Sequence, residues 1–181
     1  MSDARVPPLA AIVIAGGRGT RMGGIDKPGL AIGGSTLRER AMAAARSAGL
    51  APILHLGPEV DGGPVAALAA GVAELDADEV VVLAGDLVHP EFVLVALAAA
   101  RDGRDGAVLV DPDGREQWLA ARYRVEALRA ALDTLPDGPR DASFRALARD
   151  LDLVRVLVEP SVVADIDTWQ DYETAKEQID G

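Results

Sequence analysis

A chain of 181 residues with 49% hydrophobic content and only 3% aromatics can bury one sizeable core of small side chains, which excludes a disordered segment. Its formal charge of -11 opposes general binding to nucleic acid or to an anionic membrane, since both need a basic face. With no cysteine there are no disulfides or thiolate metal sites, no apolar run reaches the roughly 18 to 20 residues that span a bilayer, and residues 1–8 lack the pattern of a signal peptide, so a cytoplasmic protein is expected.

Leu9-Ala-Ala-Ile-Val-Ile-Ala15 is a continuous apolar run ending at Gly16-Gly17 and reads as a buried strand. Residues 16–34 hold too many glycines, and Pro28, for a helix interior and are expected as loop. Residues 36–48 read as a helix closed by Gly49, and 52–56 as a second buried strand. After a loop from Gly57 to Gly63, Pro64 opens an alanine-rich helix running to Glu74. The clearest strand is Glu79-Val-Val-Val-Leu-Ala84, which runs into Gly85-Asp86 before Pro90 opens a helix over 91–100. A strand at 106–110, the turn Asp111-Pro-Asp-Gly114 and a returning strand at 118–123 follow. Helices are expected at 125–134 and 143–150, a last strand at 153–158, and a helix through Gln178 opened by a Thr168/Asp171 capping box.

Strands alternating with helices imply right-handed crossovers. The expected fold class is α/β: a doubly wound, mostly parallel sheet with a small antiparallel excursion near residue 112, with residues 1–181 as one domain. Ligands of such sheets bind outside the carboxyl ends of the strands, where Gly16-Gly17 and Asp86 both fall.

The segment Ile14-Ala-Gly-Gly-Arg-Gly-Thr-Arg-Met-Gly-Gly-Ile-Asp-Lys27 carries the chemistry. Glycines let backbone N–H groups turn toward a phosphate without interference from Cβ. The dinucleotide fingerprint fails at Met22, and a P-loop fails at Asp26, where glycine would have to precede Lys27. What remains is a phosphate cradle of another kind or a flexible connection. Between Ala4 and Ile25 the chain has Arg5, Arg18 and Arg21 and no acidic residue. Lys27 is one of only two lysines, the other being Lys176, and a compact ammonium can follow a phosphate through a reaction. Asp86, after its strand, is either a helix cap or a ligand for a hard cation; Asp165 and Asp167 would share one side of an extended segment and could add a second carboxylate. His55 and His89 are too few for a metal cluster and lack a nucleophile partner. They read as strand-end packing and a loop residue, and Trp118 and Trp169 as packing.

In these residues the chain resembles the molybdenum cofactor guanylyltransferase family of nucleotidyltransferases. The resemblance lies in Ala-Gly-Gly after the strand, the basic turn, Arg21-Met-Gly and Asp26-Lys27. It continues in Gly63-Pro64-Val-Ala-Ala, Ala84-Gly-Asp86, Arg115-Glu-Gln-Trp-Leu-Ala120 and Asp165-Ile-Asp-Thr168, and so covers most of the chain. The resemblance implies transfer of GMP from GTP to the phosphate of molybdopterin cofactor, with release of pyrophosphate and with Mg2+ as cofactor. It implies that Ile14, Ala15 and Gly16 present backbone to the nucleotide, that Gly17 and Arg21 lie near its phosphates, and that Lys27 neutralises their charge. Asp86 would hold the metal, and Asp167, with Asp165 as the second choice, would complete the metal site or touch the acceptor. Arg21, Lys27 and Asp86 are thus the implied catalytic residues. The stretch before Gly63-Pro64 is short for this family, which leaves Asp61 as the stand-in for a second nucleotide-binding aspartate. Val88 and Trp118 stand where the family commonly has proline. The implied partners are GTP and molybdopterin as small-molecule substrates and transient contacts with other cofactor-biosynthesis proteins, with no nucleic acid and no membrane. Two alternatives stay open: a related enzyme with another base or acceptor, such as cytidylyl transfer to molybdopterin or to a sugar or polyol phosphate, and a non-catalytic nucleotide-binding relative.

Overall fold

The computed structural model describes residues 9–15, 25–57, 59–101 and 103–180. The first strand is β1 (Leu9–Ile14), and after a 3₁₀ turn at Lys27–Gly29 come the short strands β2 (Ala31–Ile32) and β3 (Ser35–Thr36). These pair antiparallel across Gly33 and Gly34, whose φ of +62° and +80° meet the demand of a two-residue hairpin turn for two left-handed positions. Within the expected loop of 16–34, Ala31–Ile32 are therefore strand and Gly33-Gly34 a hairpin turn, and Thr36 pairs as strand before it caps the helix; the cue was the Gly-Gly pair itself. Helix α1 (Leu37–Ser47) begins at Thr36, whose hydroxyl accepts from Glu39 N at 3.3 Å while the Glu39 carboxylate accepts from Thr36 N at 2.8 Å.

The chain continues through β4 (Ile53–Leu56), α2 (Gly63–Glu74), β5 (Glu79–Ala84), α3 (Pro90–Ala99), β6 (Gly106–Val110) and β7 (Glu116–Arg124). It ends with α4 (Val125–Asp133), α5 (Phe144–Leu147), β8 (Leu153–Leu157) and α6 (Trp169–Asp180). The helix expected over 143–150 is a single turn, because only Leu147 and Ala148 there are buried and no apolar face continues beyond them. The helix α6 runs to Asp180, past the expected Gln178, and its Thr168/Asp171 capping box is present.

The strands form one six-stranded sheet in the order β4-β1-β5-β7-β6-β8. The pairs β4–β1, β1–β5 and β6–β8 are parallel, and β7 runs antiparallel to both β5 and β6. The antiparallel excursion therefore lies inside the sheet, not at its edge, and five strands share one direction. Alternate residues of a strand point to opposite faces. Ala10, Ile12, Ile14, Val80 and Val82 pack under Val65, Leu68 and Val72 of α2 and Leu128 of α4, while Ala11, Val13, Val81 and Leu83 pack under Ala41 and Ala45 of α1 and Val93 and Leu97 of α3. Helices on both faces make the sheet doubly wound. A fully buried Val or Leu contributes about 1.5–3 kcal/mol, against about 0–1 kcal/mol for a surface ion pair, so these two layers hold the fold.

A third cluster positions the site. Ile32, Leu37, Val88, Ile166 and Ala175 bury together, fastening the β2–β3 hairpin, the start of α1, the segment after β5 and α6 at the carboxyl ends of the parallel strands. Among the described residues no helix is long and apolar enough to cross a membrane.

Candidate active site

The ends of β1 and β5 are drawn together first. Ala15 N donates to Leu56 O at 2.8 Å and Gly85 N to Ile14 O at 2.9 Å, so the chain leaves both strands at the same level. A Cβ on Gly85 would stand 2.9 Å from Ala15 Cβ and 3.0 Å from Ala15 Cα, which is why only glycine lets the two strand ends close.

Beyond Gly85 the chain pairs with a segment about eighty residues later in sequence. Leu87 and Asp165 form an antiparallel bridge, Val88 N donates to Ala164 O at 2.9 Å, and Ile166 N donates to Asp86 O at 3.3 Å. Ile166 is fully buried. In an extended segment its neighbours Asp165 and Asp167 then share the opposite side, as the spacing implied. Asp86, Asp165 and Asp167 are thus gathered at one mouth. Lys27 reaches the same place from the 3₁₀ turn, anchored by buried Pro28, and its Nζ lies 2.7 Å from Asp167 Oδ1. The lysine side chain is only 13% exposed. Asp167 is also tied through its backbone N to the Asp171 carboxylate at 3.1 Å, which couples it to the start of α6.

Crowded carboxylates set the electrostatics. Burial, then the Asp165 carboxylate, pushes Asp86 up from 3.8 to about 6, against the pull of Lys27. Desolvation and the Asp167 carboxylate also raise Asp165, while Lys27 and Arg115 oppose the rise. The mouth therefore carries more negative charge than Lys27 compensates, the condition under which a cation is bound. Among the described residues no group of three or more His, Asp or Glu side chains is arranged to hold an ion by itself. Asp86 and Asp167 present hard carboxylate oxygens of the kind that divalent cations take in ones and twos, with phosphate oxygens and water completing the shell.

The remaining expectations divide. Ile14 ends β1 and Ala15 follows it at the crevice; Gly16, Gly17 and Arg21 lie outside the described residues. Asp61 lies between β4 and α2, where the Arg140 guanidinium donates to it at 2.7 Å; the side chains are 77% and 64% exposed. Asp141 N donates to Gly62 O at 2.7 Å, so the short loop is buttressed by the connection between α4 and α5. His89 precedes α3, stacks on Phe92 and lies 3.2 Å from Glu91; His55 stands within β4. Trp118 packs against the α2 and α4 layer, and Trp169 lies edge-on to Tyr172. Sequence reasoning missed Arg140, whose meeting with Asp61 spans 79 residues. It also read 111–114 only as a turn, whereas Asp111, Arg115 and Gln117 line a cavity of about 570 Å³ with Asp165 and Asp167.

The model of the MobA-like NTP transferase domain matches this chain over residues 11–61 and 56–154. Among solved structures, the chain is similar to a homologue of Mycobacterium tuberculosis Rv0371c from Mycobacterium sp. strain JC1, with a TM-score of 0.71 and 22% identity over 94% of this chain and 96% of that one. The 4-diphosphocytidyl-2C-methyl-D-erythritol synthase of Anaerococcus prevotii gives 0.68 and 14% over 96% and 99%. Molybdopterin-guanine dinucleotide biosynthesis protein A of Archaeoglobus fulgidus gives 0.61 and 20% over 93% and 97%. At such identities these structures establish the shared fold.

Proposed function

Because the chain belongs to the MobA-like NTP transferase domain family, we propose that it transfers GMP from GTP to the phosphate of molybdopterin cofactor, releasing pyrophosphate, with Mg2+ as cofactor. The observation that carries this is the convergence of Lys27, Asp86 and Asp167 at the carboxyl ends of β1 and β5.

The chemistry needs no side-chain base. A phosphate monoester has a second pKa near 6 and is largely a dianion at neutral pH, so it attacks unaided. The protein must align it with the α-phosphate and stabilise charge there and on the departing pyrophosphate. Magnesium, held by Asp86 and Asp167 with phosphate oxygens and water, would supply charge neutralisation at that centre. Lys27 gives up its contact with Asp167 for the triphosphate, and Arg21 and the N–H groups of Gly16 and Gly17 complete the cradle. Ile14 and Ala15 offer backbone to the nucleotide, and Asp61 reads the base. Molybdopterin and GTP are the small-molecule substrates of a single cytoplasmic domain, which meets other cofactor-biosynthesis proteins only transiently and takes no nucleic acid or membrane as partner.

A second reading is cytidylyl transfer, favoured by the engagement of Asp61 with Arg140, which occupies an acceptor suited to guanine's donors. Thermal-shift measurements with GTP, CTP and UTP in magnesium separate the two. Stabilisation by GTP, followed by pyrophosphate release on adding molybdopterin, is the expected result. A shift with CTP alone would eliminate guanylyl transfer.

A further inference from the structure

The cavity of about 570 Å³ beside Asp165 and Asp167 is walled on its far side by the connection from β6 to β7, and that connection is built around one carboxylate. Asp111 Oδ1 accepts from Asp113 N at 3.0 Å and from Arg115 N at 2.9 Å, and its Oδ2 accepts from Gln117 Nε2 at 3.0 Å. Asp111 N donates to Arg115 O at 3.1 Å, and Gly114 N donates to Asp111 O at 2.9 Å. The backbone of Arg115 is therefore clamped on both its N–H and its C=O. Its guanidinium lines the cavity and acts electrostatically on the Asp165 carboxylate. A cation on a turn clamped in this way, lining a cavity beside Asp165 and Asp167, is placed to meet an anion there.

We propose that Arg115 anchors the phosphate monoester of the acceptor, and that Asp111 is the positioning residue that holds it over the cavity. The inference rests on the phosphate-monoester acceptor proposed above and adds the site that receives it. A dianion cannot enter a cavity rimmed by Asp113, Asp165 and Asp167 unless cations bracket its path. Lys27 stands on Asp167 at one side and Arg115 lines the cavity near Asp165, with two N–H groups in the fork that matches phosphate oxygens. Three donors on its oxygens screen the Asp111 charge in part, so its repulsion of a phosphate is weaker than a free carboxylate's. The volume exceeds what a phosphate fills and falls in the range of small-molecule sites. The carboxylates and Gln117, over Pro112, Pro160 and Val163, suit an acceptor whose body is compact and rich in N–H or O–H donors.

Calorimetric titration of inorganic phosphate into the full chain saturated with α,β-methylene-GTP and magnesium tests this. Arg115→Gln should weaken phosphate binding about tenfold or more, and Arg115→Lys about threefold, since an ammonium keeps the charge and loses the fork. Affinity for α,β-methylene-GTP should stay within about twofold in both, as the nucleotide is held elsewhere. Asp111→Ala separates positioning from simple charge: removing a negative group would strengthen anion binding electrostatically, whereas releasing the clamp weakens it. Asp111→Asn keeps an oxygen for the backbone donors and should bind phosphate at least as well as the native chain. Unchanged phosphate affinity in Arg115→Gln, stronger binding in Asp111→Ala, or no phosphate binding by the native ternary complex would each overturn the inference and leave the nucleotide site standing. Failure of the native chain to bind α,β-methylene-GTP would overturn the proposed function itself, and this site with it.

Discussion

Lys27, Asp86, Asp165 and Asp167 converge on one side of the crevice from segments far apart in sequence, with the lysine nearly buried and two aspartates made less acidic than usual by burial and by one another. On the other side Asp61 and Arg140 meet at 2.7 Å with most of both side chains in solvent. The first arrangement stores unfavourable negative charge that a cation would relieve. The second is a solvated pair whose loss costs the fold little. On the function proposed, chemistry and base selection fall to these separate parts of the molecule, and substitutions should divide them cleanly.

The largest effect belongs to Asp86→Asn, which should reduce turnover about a thousandfold or more in a pyrophosphate-release assay. Activity near native would remove Asp86 from any metal role. Lys27→Met should lower turnover by about a hundredfold to a thousandfold, with Lys27→Arg restoring only part, because a guanidinium cannot follow the moving phosphate as an ammonium does.

The same aspartate sharpens the comparison through stability. Asp86 holds its proton to about pH 6 in the folded chain, against 3.8 ordinarily. Between those values the folded state binds more protons at this site than the unfolded one, so the contribution of Asp86 to metal-free stability is greatest at low pH and is lost as pH rises through about 6. The loss is on the order of 3 kcal/mol. In EDTA at neutral pH, Asp86→Asn should therefore melt above the native protein while being inactive. A lower Tm would show that the carboxylate is not under the charge strain described.

Smallest in stability, Arg140→Ala should change Tm by no more than about two degrees and leave turnover at saturating GTP intact. Asp61→Asn should shift the relative affinity for GTP and CTP several-fold without that loss of turnover. Collapse of turnover in either variant would break the division between the two sides.

The strands at 79–84 and 106–110 and the helix opened by the Thr168/Asp171 capping box were legible because apolar runs and capping boxes are local signals. Asp86 was visible as a carboxylate directly after a strand, Lys27 as one of only two lysines, and Asp165 and Asp167 by their spacing. What a linear reading lacks is pairing across long separations. The central position of β7, and the jump in its register from Ala121 to Gln117 across one step of β6, follow from which strands meet. The carbonyl of Trp118 exposed by that jump is satisfied by the buried Tyr123 hydroxyl at 2.9 Å, a contact periodicity cannot foresee. Asp111 was visible as a turn residue, but its role as an acceptor for three donors depends on where Arg115 and Gln117 come to rest.

Crystals soaked with α,β-methylene-GTP and manganese would test the central claim most directly, since the ion's anomalous signal reports its position independently of the carboxylates. The expected result is a peak bridging Asp86, Asp167 and phosphate oxygens, with Lys27 moved from Asp167 onto the triphosphate. A triphosphate bound away from the end of β1, or an ion that neither aspartate touches, would contradict it.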